Sequence, residues 1–241
     1  MQTPESRETG EAAASSNDDI TVVHALRRRW KPTKNGPAAA DEFEPIRIRL
    51  HRALSWMQRV EDLFANEDFA DDAFLIYEWI AFNSLYGRWN TTRQEPMSDR
   101  DTMDIFLRRI LAADADGAIR DVLDEHKKLV ESIAVDEYLN KFFWQDPNER
   151  SARQAANRVH KLREWYREDR LLNVLDEVIN RIYLGRCQLV QGAATFDSAL
   201  NRDAVRRCAM LMAHLLPAMI TVIIDHAWSD DWGDLCYTPL R

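Results

Sequence analysis

The chain reads as an all-α protein, a bundle of three to four long helices joined by shorter ones. Three observations predict this class. Apolar residues recur at three- and four-residue steps over long windows. Seven glycines in 241 residues are too few for the many tight turns of an all-β fold. No stretch sustains the two-residue alternation of a half-buried strand.

Residues 1–20 are polar, small and acidic, a composition that favours disorder. Arg27-Arg28-Arg29-Trp30-Lys31 forms a short basic run, and the Pro- and Ala-rich stretch after it reads as a linker. Residues 1–44 are therefore expected to be tail and linker. The helical domain is expected to span 45–241 and to open at Pro45, a good first-turn residue. Ile46, Leu50, Leu54, Met57, Val60 and Phe64 mark the first long helix. Asp71 and Asp72 suit the N-terminus of the next, which is apolar nearly all round from Phe74 to Tyr86 and so should be central.

Ser98 with Asp101 resembles a capping box and opens a helix to about Ala113. Shorter helical patterns cover 118–130, 136–143 and roughly 151–166. A long helix follows from about Glu168 to Val190, with its buried stripe at Leu171, Val174, Leu175, Val178, Ile179 and Ile182. Gly192 stands where a helix-terminating glycine belongs. Asn201 is a candidate cap for the last long helix, which runs to about His226. Its segment 208–224 is apolar but short for a membrane span, and it contains His214 and Pro217. It reads as a buried core helix, and no membrane partner is expected.

A net charge of −8 excludes a protein that coats nucleic acid through bulk charge, so any RNA contact must come from a local basic patch. Cys187, Cys208 and Cys236 make an odd count without CxxC spacing. With no apolar leader at the start, they point to reduced thiols and a cytoplasmic protein. HxxxH, HExxH and Cys/His quartets are missing, so no metal and no other cofactor is expected; Glu67, Asp68, Asp71 and Asp72 hint at one only faintly. The chain has no Gly-rich phosphate loop and no GxSxG elbow.

Arg186 lies four residues after Ile182 and continues the apolar stripe of its own helix. A guanidinium there needs an acid such as Asp176 or Asp225, a partner subunit or a ligand anion. Gln191 lies five residues on, about 140° round an ideal helix. The two side chains diverge unless the helix ends between them, or meet only across a two-fold dimer axis. Arg202, Arg206 and Arg207, with Arg181 and Arg186, are candidates for a basic mouth contacting phosphates, or else they pair with Asp203, Glu177 and neighbouring acids.

These residues carry a family resemblance. Arg186-Cys187-Gln188-Leu189-Val190-Gln191-Gly192-Ala193-Ala194-Thr195, followed by Asn201-Arg202-Asp203-Ala204-Val205-Arg206, resembles the Arg-x4-His region of bacterial HEPN-type ribonucleases. The stretch from Leu75 to Gly87 and the ending Asp231 to Tyr237 are similar to other parts of that family. The resemblance implies an all-α HEPN-like homodimer in which Arg and His of both subunits line a metal-independent RNA-cleaving site. It also implies a role in bacterial defence or toxin–antitoxin modules, with an antitoxin or other defence-system protein as a further partner. In such a site the ribose 2′-OH attacks the phosphate, Arg stabilises the developing charge and His moves protons.

This chain departs from the pattern at Cys187, where the family has Asn, and at Gln191, where it has His. A glutamine amide has no titratable proton near neutral pH, and losing a general acid–base costs about two to four orders of magnitude in rate. Catalytic candidates are therefore Arg186 and Gln191, with Cys187 and His214 as substitutes for the missing base. Weak or absent cleavage is expected. The alternatives are an active enzyme using another His or carrying an engineered Gln191, and a non-catalytic helical adaptor.

Overall fold

The computed structural model describes residues 21–66, 70–193, 195, 199 and 201–237, and the all-α class is what it shows. The helices are α1 (Val22–Asn35), α2 (Glu44–Ala65), α3 (Asp71–Tyr86), α4 (Asp99–Ala112), α5 (Ala118–Glu125), α6 (Lys127–Ala134), α7 (Lys141–Gln145), α8 (Glu149–Ala156), α9 (Arg158–Arg167), α10 (Leu171–Val190) and α11 (Arg202–Val222). α11 continues into a π-helical turn, Ile223–Ala227. Two strands of two residues each, β1 (Trp89–Asn90) and β2 (Glu95–Pro96), form an antiparallel hairpin that the sequence pattern does not signal, because two residues carry no alternation.

The centre is α3. It packs on α2 and α11 and also touches α4 and α10. Leu75, Trp79, Phe82, Leu85 and Tyr86 are all buried on it, as expected for a helix apolar nearly all round. α11 runs against α3, α5 and α6. By length and composition Arg202–Ala227 could cross a membrane, but 67% of its apolar window is buried inside the bundle. Its apolar side chains are consumed by helix packing, as in a core helix.

Residues 21–44 correct the expected tail and linker. Thr21 caps α1 by accepting from the His24 amide at 3.3 Å, and Val23, Leu26 and Trp30 bury one face of the helix against α2 and α11. Part of the basic run is spent inside the fold: Arg27 donates to Gln58 at 2.9 Å, Arg29 pairs with Asp225 at 2.6 Å and Trp30 is buried. The domain therefore includes α1. Leu26→Ala should cost about 2 kcal/mol, the low end for a buried leucine, read as a lower urea midpoint. A midpoint unchanged from the native chain would mean α1 is not part of the cooperative unit.

Several helix ends also differ from expectation. Asp71 and Asp72 do open α3, and Pro45 sits in the first turn of α2, which begins at Glu44. Ser98 sits at the N-cap of α4, but its side chain makes no cap bond. Asn201 occupies the N-cap of α11 and donates instead to Gln188 at 3.1 Å. The pattern over 118–130 is broken at His126 into α5 and α6, and that over 151–166 at Asn157 into α8 and α9.

The C-terminal segment returns to α2 and the end of α3. Arg49 is 1% exposed. Its guanidinium donates to the carbonyls of Leu85 (3.1 Å), Gly87 (2.6 Å), Trp232 (3.3 Å), Gly233 (3.0 Å) and Asp234 (3.3 Å). Arg52, one turn on, donates to the carbonyls of Cys236 and Tyr237. Trp232 is buried and donates to the Ala227 carbonyl at 2.9 Å. Gly233 has φ +77°, and a Cβ there would collide with the Arg88 guanidinium.

Glu78 is a second buried charge-bearing group, on the middle of α3 and 4% exposed. Its Oε2 has no hydrogen-bond partner, and burial raises its pKa well above the ordinary 4.5. The folded chain thus keeps this proton after the unfolded chain has released it. Stability is then lost as pH rises above about 4.5, at up to about 1.4 kcal/mol per pH unit until the folded group ionises. Glu78→Gln should flatten this slope: its urea midpoint should exceed that of the native chain at pH 8 and approach it at pH 5. Parallel profiles would show that Glu78 is already ionised in the fold.

Candidate functional site

The candidate site is built on the last two turns of α10. Gly185 lets that helix approach its neighbours, since a Cβ there would lie 3.2 Å from Leu139 and 3.7 Å from the Cys208 sulfur. The next residue, Arg186, points to the other side. Its guanidinium lies 5.9 Å from the ring centres of both Trp79 and Tyr183, a cation–π arrangement. One of its nitrogens is 3.8 Å from the Cys187 sulfur. The nearest carboxylate is Asp99, the first residue of α4, at 4.0 Å, rather than Asp176 or Asp225. Asp99 also accepts from the buried Tyr86 hydroxyl at 3.0 Å.

The result is a chain of polar groups, Tyr86–Asp99–Arg186–Cys187–Tyr183, seated on the Trp79 indole. Burial pushes the Tyr86 phenol upward, and the neighbouring Asp99 adds to the effect. Tyr183 is also raised, first by burial and then by its hydrogen bond with Cys187. Both phenols stay protonated at neutral pH, so neither is a general base there. The arrangement offers a half-buried cation for an anion. Tyr183 lies one turn before Cys187 on the same helix, so the i, i+4 spacing was a signal for it; Asp99 and Tyr86 join only through tertiary packing.

Gln191 does not join this cluster within one protomer. α10 stays helical through Val190, and Gln191 itself is in the right-handed helical region. The reversal comes one residue later, at Gly192 with φ +68°. The Gly192 amide donates to Leu189 at 3.1 Å and the Ala193 amide to Gln188 at 2.9 Å, the paired bonds of a Schellman motif. The helix does not end between Arg186 and Gln191, so their side chains diverge by about 140°. Gln191 is exposed beside Val190, itself 60% exposed.

Comparison with protein-family models, curated proteins and solved structures gives no match to this chain. The resemblance of its motifs to the HEPN type therefore rests on its own residues.

The other candidate residues fall elsewhere. His214 is exposed rather than a core histidine, because α11 turns that position outward. It stacks on His126 at the α5–α6 junction, ring centres 3.9 Å apart, and burial together with His126 lowers its pKa. Arg181 is 9% exposed and tied to Glu177 at 2.9 Å, the acid named as its alternative partner, and to the Leu139 carbonyl at 3.1 Å. Arg202 pairs with Asp72 at 3.1 Å, Arg206 with Asp71 at 3.2 Å and Arg207 with Asp136.

The basic mouth is thus largely neutralised by the acids of α3 and of the turn before α7. Asp71 and Asp72 are occupied as ion-pair partners, while Glu67 and Asp68 lie outside the described residues. No metal-ligating cluster of three or more occurs among the described residues. Trp165 and Trp232 are buried, Trp228 is partly buried and Trp144 is 43% exposed.

Proposed function

We propose that this chain is an RNA-targeting helical protein of the HEPN type, from a bacterial defence or toxin–antitoxin module. In this reading it acts as a homodimer whose cleavage site is disabled by Gln191. The observation that carries it is the state of Arg186. Among the five candidate arginines it is the one whose nearest carboxylate lies as far as 4.0 Å, while Arg181, Arg202 and Arg206 have carboxylates within 3.2 Å and Arg207 bonds Asp136. Its side chain remains 24% exposed against an aromatic floor. That is a site for an incoming phosphate, which would replace a long ion pair with a short charge-assisted bond.

The divergence of Arg186 and Gln191 within one protomer favours a composite site across a two-fold axis, and the exposed Val190 supplies apolar surface at that end of α10. His214 stacks on His126, and the contacts of Arg186 run instead to Asp99, Cys187, Trp79 and Tyr183. A second reading, a non-catalytic helical adaptor, is favoured by the neutralised basic mouth.

Fluorescence anisotropy with a labelled single-stranded RNA distinguishes them. Binding should weaken as salt rises. Arg186→Ala should weaken it about tenfold or more, the worth of one bond to a charged group. Salt-independent signals, or an Arg186→Ala variant that binds as the native chain does, would favour the adaptor.

A further inference from the structure

We propose that the cavity between the start of α4, α7, α9 and α10 binds a nucleoside phosphate. Its volume of about 370 Å³ lies in the roughly 300–1,000 Å³ range of small-molecule sites. Four of its lining residues are cations, Arg100, Lys141, Arg158 and Arg181, against a single carboxylate, Glu177. Glu177 is shared between Arg158 at 2.5 Å and Arg181 at 2.9 Å. Arg100 and Lys141 have no carboxylate partner among the described residues, and the Arg158 Nε is buried without a hydrogen bond.

Three positive charges are therefore uncompensated in a chain of net charge −8, which marks the cavity for an anion of more than one charge. The wall beside the cations is aromatic: Phe142 is 56% exposed and the Lys141 ammonium sits 4.9 Å from its ring centre. A half-exposed ring next to a phosphate-binding group is a stacking surface for a base. The recognition comes from side chains, which is why the sequence shows no Gly-rich loop for it.

The ligand is either a free nucleotide or one unit of an RNA. Arg100 follows Asp99, the partner of Arg186, so the cavity and the α10 cluster share the first turn of α4. The RNA form rests on the function proposed above, whereas the chemistry of the cavity does not.

Calorimetric titration of the full chain with adenosine 5′-monophosphate, inorganic phosphate and a hexa-adenylate RNA tests this. The mononucleotide should bind more tightly than phosphate. The double variant Arg100→Ala/Lys141→Ala, at two exposed positions, should lower both affinities at least tenfold, and Phe142→Ala should lower only that of the nucleotide. A hexanucleotide that binds more tightly than the mononucleotide, with the same loss in the double variant, identifies RNA as the source; equal affinities identify a free nucleotide. The proposal is overturned if the mononucleotide does not bind, or if a double variant with native circular dichroism binds it unchanged. Loss of RNA binding in Arg186→Ala but not in the double variant would overturn the RNA form of the cavity's ligand and leave the α10 site; the reverse would overturn the α10 site and leave the cavity.

Discussion

Replacing Arg49 by alanine should destabilise the fold by about 2–5 kcal/mol, the cost of leaving its two fully buried carbonyl contacts without a donor, and should release residues 229–237 from the bundle. The expectation follows from where the guanidinium sits. Among the described residues no carboxylate forms an ion pair with it; its partners are five main-chain carbonyls, two at the end of α3 and three in the C-terminal segment. Burial lowers its pKa to about 10, so it remains a cation at neutral pH.

Removing it takes the donor from the two fully buried contacts, to the Leu85 and Trp232 carbonyls, at about 1–3 kcal/mol for each carbonyl left unsatisfied. Arg49→Lys should recover only part of the loss. An ammonium is a compact three-donor group, whereas the planar fork serves both sets of carbonyls at once. Urea unfolding gives the stability change, and amide exchange of 229–237 reports the release. A loss under 1 kcal/mol with that segment still protected would mean the segment is held by Trp232 and Arg52 instead.

The long helices were legible because each buries an apolar stripe: Ile46 to Met57 on α2, where Leu63 closes it in place of the expected Phe64, which is exposed, and Leu171 to Ile182 on α10. The closing glycine of α10 was legible too, since only Gly192 could take the left-handed turn there. α1 was not. Its buried face is one residue per turn, Val23, Leu26 and Trp30, interleaved with a run of arginines, and Pro32 lies inside it. Composition there outweighed periodicity.

Arg49 carried a signal that could have been used. It lies between Ile46 and Ala53 on the same stripe, just as Arg186 follows Ile182. A charged residue on an apolar stripe marks a position that needs a partner, but only the fold names it: backbone carbonyls for Arg49, Asp99 and two aromatic rings for Arg186. The pairing of Arg202, Arg206 and Arg207 with Asp71, Asp72 and Asp136 likewise joins residues 71 to 135 positions apart, beyond the reach of local spacing.

The second large effect concerns Gln191. A histidine placed there puts a group able to move protons at the exposed end of α10, without touching the core. If the α10 cluster is one half of a dimeric HEPN-type site, Gln191→His should raise RNA cleavage by about two to four orders of magnitude. The stability of the chain should not change measurably, because the position is exposed and the helix is closed by Gly192. Arg186→Ala in the same background should abolish the gain.

The direct measurement is cleavage of a single-stranded RNA by the native chain and by Gln191→His, in EDTA, with analysis of the product ends. Only the histidine variant should cut, leaving 2′,3′-cyclic phosphate ends. Failure of a folded, dimeric Gln191→His variant to cut any RNA would contradict it.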